Sequence, residues 1–460
     1  MGFDEEIPRV IDHYRLLEMI GQGTFSIVYR ALDTITNIHV AVKIFEKKVN
    51  SAMFQKEVSI CKLLDHPLIA QIYDTCEDDN YFYMVMEYIT GEPFLNCINR
   101  CNQMEENDIR YYSIQIISIL DYLHNQAQVL HRDLKAENIM VTDKKILKLI
   151  DFGFSKQFSD ENPQTSTMCG SLVYSAPEVL TGRPYSTPAD IWSFGVLLYA
   201  MAECCFPFQA RSQFELIFTI TRNFSLVFKS MISQELKDLI TLMLERDQSK
   251  RIKVQQMKSH LFFVKSNIIS KLNYLKNPSM KVFPESIENG IVESMGHLNI
   301  NTDGLVDDLL AHKFSNKTTA YRILRRNKIN SMIEMEYANL SNKPRYLISP
   351  SSSNQCKGTY NHDNSFSSAI SEIRRASKPG EKSPEKPTYS LNLAMVRRMA
   401  SPSNMSSRRK YIITDSARKS KNSEHNDPNN YKMMFAKTWN RHRKASIPRL
   451  SFPLILSNDE

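Results

Sequence analysis

Apolar positions fall into periods that change along the chain. Residues 14–45 carry short apolar runs broken by turn residues and predict strand, turn, strand, strand: Tyr14 to Ile20, then a glycine-containing stretch to Val28, then Val40-Ala41-Val42-Lys43. Residues 52–64 place Phe54, Val58, Cys61 and Leu64 at three- and four-residue spacing, which predicts one face of a helix. Tyr81 to Tyr88 is a nearly continuous apolar strand with Glu87 near its end, and Ile109 to His124 reads as an amphipathic-to-buried helix. Ile146 to Ile150 predicts a strand that delivers Asp151 to a loop. Pro188-Ala189-Asp190 opens a long apolar helix, with proline and an acid where a helix N-terminus favours them. Further on, Ile287, Ile291, Val292, Met295, Leu298, Leu305, Leu309 and Leu310 keep helical spacing across a break at 299–304. From 331 the chain is rich in Ser, Asn, Lys and Arg with few apolar clusters, so 331–460 is expected to be a largely disordered tail.

A length of 460 residues leaves room for two or three domains, and 42% hydrophobic residues support a large core over part of them. The net charge is +8, but residues 331–460 hold 22 Lys+Arg against 11 Asp+Glu, which leaves −3 for residues 1–330. The basicity belongs to the tail, where a solvated segment accounts for it, and nucleic acid is not an expected partner. The 8 cysteines show no metal-ligand spacing, and without a signal peptide they read as reduced thiols of the cytosol or nucleus. Glu6 stands where an N-myristoylation signal requires Ser or Thr. The longest apolar run, Ile191 to Ala202, is too short for a transmembrane segment.

The densest chemistry lies in residues 129–153, VLHRDLKAENIMVTDKKILKLIDFG. Phosphoryl transfer needs a triphosphate held, its charge neutralised by Mg²⁺, and an acceptor hydroxyl aimed at the γ-phosphorus. Asp133 can accept the hydroxyl proton, and Asn138 and Asp151 offer the hard oxygen ligands that Mg²⁺ prefers. Upstream, Gly21 and Gly23 let backbone N–H groups approach a phosphate without an intervening Cβ. Lys43 closes an apolar strand at a suitable distance from that loop.

His131-Arg132-Asp133, Asn138 five residues later, Asp151-Phe152-Gly153, Gly21-x-Gly23, Val40 to Lys43 and Ala176-Pro177-Glu178 together resemble the signature set of eukaryotic protein kinases, over residues 14–263. The resemblance implies an α+β, bilobal kinase fold with a small β-rich N-lobe and a larger helical C-lobe, preceded by a short extension over 1–13. It implies ATP and Mg²⁺ as cofactors. In it, Ile20, Gly21, Gln22, Gly23, Thr24, Phe25, Ser26, Val28 and Ala41 cover the nucleotide, with Ser26 in place of the usual third glycine. Lys43 would hold the α- and β-phosphates and Glu57 would hold Lys43. Met86 would guard the back of the adenine pocket, Glu87 would lie in the hinge, and Glu92 would reach the ribose, although the stretch Thr90 to Pro93 is one residue shorter than the family pattern. Asp133 would orient the hydroxyl, Lys135 would contact the transferred phosphate as in serine/threonine kinases, and Asn138 and Asp151 would bind metal. Ser171 would contact Asp133 and Lys135, Asp190 the catalytic-loop backbone, and Arg251 Glu178. Thr167 would be an activating phosphosite facing Arg132.

Met84 to Tyr88, Thr167 to Ser171 and Phe206-Pro207-Phe208 resemble the calcium/calmodulin-dependent kinase-like group, in its AMP-activated and microtubule-affinity-regulating branch. There a ubiquitin-associated-like three-helix module follows the catalytic domain and packs on it, and residues 285–328 resemble that module. Arg374 to Ser377 and Arg443 to Ser446 resemble sites for phosphoserine-binding adaptors at Ser377 or Ser446. The expected function is a serine/threonine kinase acting on protein substrates under an upstream activating kinase. The alternative is a catalytically silent pseudokinase scaffold, against which intact Lys43, Asp133, Asn138 and Asp151 argue. The Ala176-Pro177-Glu178 segment disfavours a small-molecule phosphotransferase.

Overall fold

The computed structural model describes residues 7–23, 26–101, 103–158, 165, 170–210, 212–222, 225–266 and 289–341. The N-terminal part is an antiparallel sheet of six strands: β1 Val10–Ile11, β2 Tyr14–Gln22, β3 Ser26–Asp33, β4 Ile38–Glu46, β5 Ile72–Glu77 and β6 Tyr81–Glu87, in the order β1-β2-β3-β4-β6-β5. Valine, isoleucine and aromatic residues suit this half-buried pleated surface. Helix α1, Lys47–Cys61, crosses one face and buries Phe54, Val58 and Cys61, the stripe its spacing predicted. It begins five residues before the predicted start. Phe54 lies flat on Phe82 of β6, with centroids 4.5 Å apart, and meets Phe45 of β4 edge-on.

After β7, Glu92–Pro93, the chain turns helical. The helices are α2 Phe94–Arg100, α3 Glu106–Asp121 ending in a wider π turn at Tyr122–Gln126, α4 Pro177–Leu180, α5 Pro188–Glu203, α6 Gln213–Thr221, α7 Gln234–Met243, α8 Val254–Lys258 and α9 Leu261–Val264. Between α3 and α4 run four short strands, β8 Val129–Leu130, β9 Ile139–Val141, β10 Leu147–Leu149 and β11 Lys156–Gln157, which form the ladders β10-β9-β7 and β11-β8. Helix α5 is buried on all sides, Trp192 and Phe194 included, which is why its sequence shows no polar face. Gly195 permits this: a Cβ there would lie 2.9 Å from Met243 of α7.

Three further helices follow: α10 Asn289–His297, α11 Leu305–Leu310 and α12 Asn316–Ser341. Ile291, Met295, Leu305, Leu309 and Tyr321 make their small core. Two expectations from sequence need correction. Leu298 and Leu310 are exposed, not core. Residues 331–341, read as the start of the tail, are the last three turns of α12. They are helical because Ile329 and Ile333 bury in the main core and Tyr337 packs on Tyr111 of α3, 5.9 Å between centroids. At about 1.5–3 kcal/mol for each fully buried side chain, these contacts stabilise a helix whose own propensity would not hold it.

Candidate active site

Strand β4 places Lys43 opposite Val28 of β3 and Met84 of β6, so its side chain leaves the sheet toward α1. Its ammonium donates to Glu57 Oε1 at 2.6 Å and to Asp151 Oδ1 at 3.2 Å. Burial disfavours the charge on Lys43, but Asp151 and Glu57 outweigh it and raise its pKa. Burial likewise works to raise Asp151, while Lys43 and the Gly153 N–H, 3.1 Å from Oδ1, overcome it and hold the carboxyl well below the usual range. Gly153 fits this close approach, since a Cβ there would lie 3.4 Å from Asp151 Oδ1 and 3.5 Å from Glu57 Oε2.

The loop after β8 is held from beneath by Asp190 at the start of α5. Its carboxylate accepts the N–H groups of His131 at 2.9 Å and Arg132 at 2.8 Å, and pairs with His124 at 2.8 Å. The Arg132 backbone is left-handed, with φ +66°, a conformation these bonds over-determine. Asp133 is thereby aimed at a cluster of donors. Oδ1 accepts the Ser171 N–H at 2.9 Å, and Oδ2 accepts Lys135 Nζ at 2.6 Å and Asn138 Nδ2 at 3.0 Å. Lys135 also reaches Ser171 Oγ at 3.0 Å. Gly170, at φ +86°, allows this closure, because a Cβ there would lie 2.5 Å from the Arg132 carbonyl oxygen. Arg251 grips Glu178 through both terminal nitrogens at 2.6 and 3.0 Å, both side chains buried, and so anchors the segment after Ser171.

Asn138 spends its amide nitrogen on Asp133, which leaves Oδ1 available to a metal. With the ionised Asp151 that would make two hard oxygen ligands. Among the described residues no group of three or more His, Cys, Asp or Glu side chains could hold a metal. Two protein oxygens suit a small hard cation that draws its remaining ligands from substrate phosphates and water.

On the nucleotide side Ile20, Gly21, Gln22, Gly23, Ser26 and Val28 form the β2–β3 hairpin, Gly21 pairing with Val28. Ala41 lies opposite Met86, both buried. Thr24, Phe25, Thr167, Ser377 and Ser446 lie outside the described residues. Two other expected residues are engaged elsewhere. Glu92 is paired with both terminal nitrogens of Arg100 on α2. Glu87 turns its side chain away from the nucleotide side, so only its backbone is left for that role. Its buried carboxylate accepts Lys148 at 2.6 Å and Asn330 at 2.9 Å, and lies 3.0 Å from Arg326 Nε. Arg326 also donates Nη2 to the carbonyls of His66 at 3.1 Å and Ile69 at 2.5 Å. Thus α12 grips the strand that joins the two lobes. Nothing in the local pattern singled out Lys148, Arg326 or Asn330; the one available signal was a helical period continuing past Tyr321.

A family model described as the protein kinase domain matches residues 14–263, and the chain belongs to that family. Among curated proteins, it is 32% identical over 354 residues to a human "SNF-related serine/threonine-protein kinase", covering 75% of this chain and 45% of that one. It is 31% identical over 326 residues to an Arabidopsis thaliana "SNF1-related protein kinase catalytic subunit alpha KIN12", covering 69% and 65%. To a "Probable serine/threonine-protein kinase KIN1 homolog" of Enterocytozoon bieneusi it is 38% identical over 238 residues, covering 51% and 40%. The chain therefore spans 40% to 65% of the length of these relatives.

Proposed function

We propose that the protein is a serine/threonine protein kinase that transfers the γ-phosphate of ATP to hydroxyls of protein substrates. The observation that carries this reading is the simultaneous engagement of Lys43 by Glu57 and Asp151 and of Asp133 by Lys135, Asn138 and Ser171. The first group holds a cation against the phosphates. The second holds a carboxylate where an incoming hydroxyl can hydrogen-bond to it and pass on its proton, with Lys135 beside the phosphate in flight. Mg²⁺ is the metal we assign to Asn138 Oδ1 and Asp151, where it would neutralise charge on the β- and γ-phosphates. Lys135 supports serine and threonine as acceptors, as do the names of the relatives.

Thr167 is the proposed switch. Arg132 is half-buried and donates Nε to the Phe154 carbonyl at 2.6 Å; among the described residues its terminal nitrogens make no hydrogen bond, which suits them to a phosphate on the segment between β11 and α4. An upstream kinase would supply that phosphate, and adaptors would read Ser377 or Ser446 when phosphorylated.

The test is transfer of ³²P from ATP to an Arg-containing serine peptide by the full chain, alongside Asp151→Asn and Thr167→Ala. We expect Asp151→Asn to abolish transfer and Thr167→Ala to lower it selectively after treatment with an activating kinase. A full chain that binds ATP yet stays silent after activation would be a scaffold.

A further inference from the structure

Three of the free cysteines stand near the end of α2: Cys97 within it, Cys101 at its C-cap, and Cys204 at the C-cap of α5, followed in the chain by Cys205. Cys101 Sγ donates to the Cys97 carbonyl at 3.3 Å, and the two thiols lie close enough to shift each other's titration. Cys204 is close enough for its thiol to feel the Cys101 charge. All four are partly buried, so reagents from solvent can reach them.

Helical spacing of four puts two Cα atoms about 6 Å apart along the axis, inside the range a disulfide spans. Two Cβ atoms at that spacing sit about 5–6 Å apart, roughly 1–2 Å beyond what a disulfide wants. In mid-helix that gap would be prohibitive. Here Cys101 has already left the helix, with φ −85° and ψ 132°, and can swing inward without breaking a central turn. We infer that Cys97 and Cys101 form a reversible disulfide on exposure to hydroperoxides, so that the end of α2 is a redox-modification site.

The chemistry balances without a further reagent. The Cys101 thiolate attacks one oxygen of hydrogen peroxide, the O–O bond breaks, and the departing hydroxide takes up the proton Cys101 had released and leaves as water, while Cys101 becomes a sulfenic acid. Cys97 sulfur then attacks Cys101 sulfur, the S–O bond breaks, and the Cys97 proton leaves with a second water. One peroxide is reduced by two electrons and one dithiol is oxidised. The roles follow from the surroundings. The neighbouring Cys97 thiol, with the Arg100 cation adding, lowers Cys101 to about 7, and the same proximity raises Cys97. The turn so closed also carries Arg100, the partner of Glu92.

Trypsin cuts after Arg100, between the two cysteines, so the bond joins peptide 63–100 to peptide 101–110. The full chain is treated with hydrogen peroxide, blocked with an alkylating agent, digested without reductant and read by mass spectrometry. We expect the joined pair to hold most of the Cys101-containing peptide, to vanish with dithiothreitol, to survive Cys76→Ser, and to be lost in Cys97→Ser and Cys101→Ser. The inference is overturned if Cys101 links instead to the peptide carrying Cys204, if it stops at sulfinic acid with no link, or if the link persists in Cys97→Ser. Matched thermal unfolding of the variants separates a lost bond from a lost fold.

Discussion

Arg326→Ala tests whether α12 is part of the catalytic fold. Arg326 is 1% exposed, forms an ion pair with Glu87 and donates to the carbonyl oxygens of His66 and Ile69. Removing one partner of a buried ion pair costs about 3–5 kcal/mol, because a charge is left without compensation. Glu87 would keep Lys148 and Asn330, which places the cost at the lower end, about 3 kcal/mol. For a domain of this size that is a fall in Tm of about 6–12 °C. Lys148 gives a second reading. Burial first, and the positive charge of Arg326 after it, depress the Lys148 ammonium to about 8 against the pull of Glu87. Without Arg326 it should titrate higher. The assays are urea and thermal unfolding of the full chain, with a double-mutant cycle against Glu87→Gln to isolate the pair. A loss below about 1 kcal/mol, or a cycle with no coupling, would refute the claim that α12 is docked through Glu87.

Four other outcomes are expected. Arg251→Ala strands Glu178 in a buried site, so it should cost about 3–5 kcal/mol and lower phosphotransfer with it, read by unfolding and peptide assay. Gly170→Ala combines a strained φ with a clash at the Arg132 carbonyl, so it should cut kcat by at least an order of magnitude while Tm falls far less than in Arg251→Ala. His66 is depressed well below its ordinary pKa by burial and by the Arg326 and Lys148 charges, so the unfolded chain takes a proton the folded one refuses. Stability should fall as pH drops below about 6.5, by about 1.4 kcal/mol per unit for this site. His66→Asn, whose oxygen can still accept the Leu68 N–H that His66 Nδ1 accepts at 3.1 Å, should flatten that slope between pH 6.5 and 5.5 in urea titrations. Ending the chain after Asn330 removes Ile333 and Tyr337 from the core and should lower Tm more than ending it after Ser341.

The candidate site was legible as a cluster because its residues are specified by short spacings. Asp133, Lys135 and Asn138 share one loop, and Asp151 follows a strand whose apolar run announces it. Gly21 on β2 and Lys43 on β4 flank β3 in one sheet. What stayed hidden depends on long-range burial of charge. Arg325, Arg326 and Asn330 lie on the face of α12 that meets the kinase domain, where a reader expects leucine, so the residues that make the contact carry no apolar signal. Glu87 carries the same lesson: in sequence it closes an apolar strand, and only its partners 61 and 243 positions away show where its carboxylate goes. Glu92 was assigned without its partner because Arg100 is an ordinary helix-end arginine until α2 folds.

The grip of α12 on the Ile69–Tyr73 strip has a consequence for synthesis. Arg326 lies 257 positions after Ile69. At about 5–20 residues per second, a ribosome needs roughly 13–50 s to make that interval. During it the N-terminal sheet would be translated while the outer face of Tyr73 still lacks Ile323, and Glu87 still lacks Arg326 and Asn330. The nascent chain thus carries an uncovered apolar strip and an under-neutralised carboxylate for tens of seconds. The last stretch of the described protein to be made is the one that closes the first lobe.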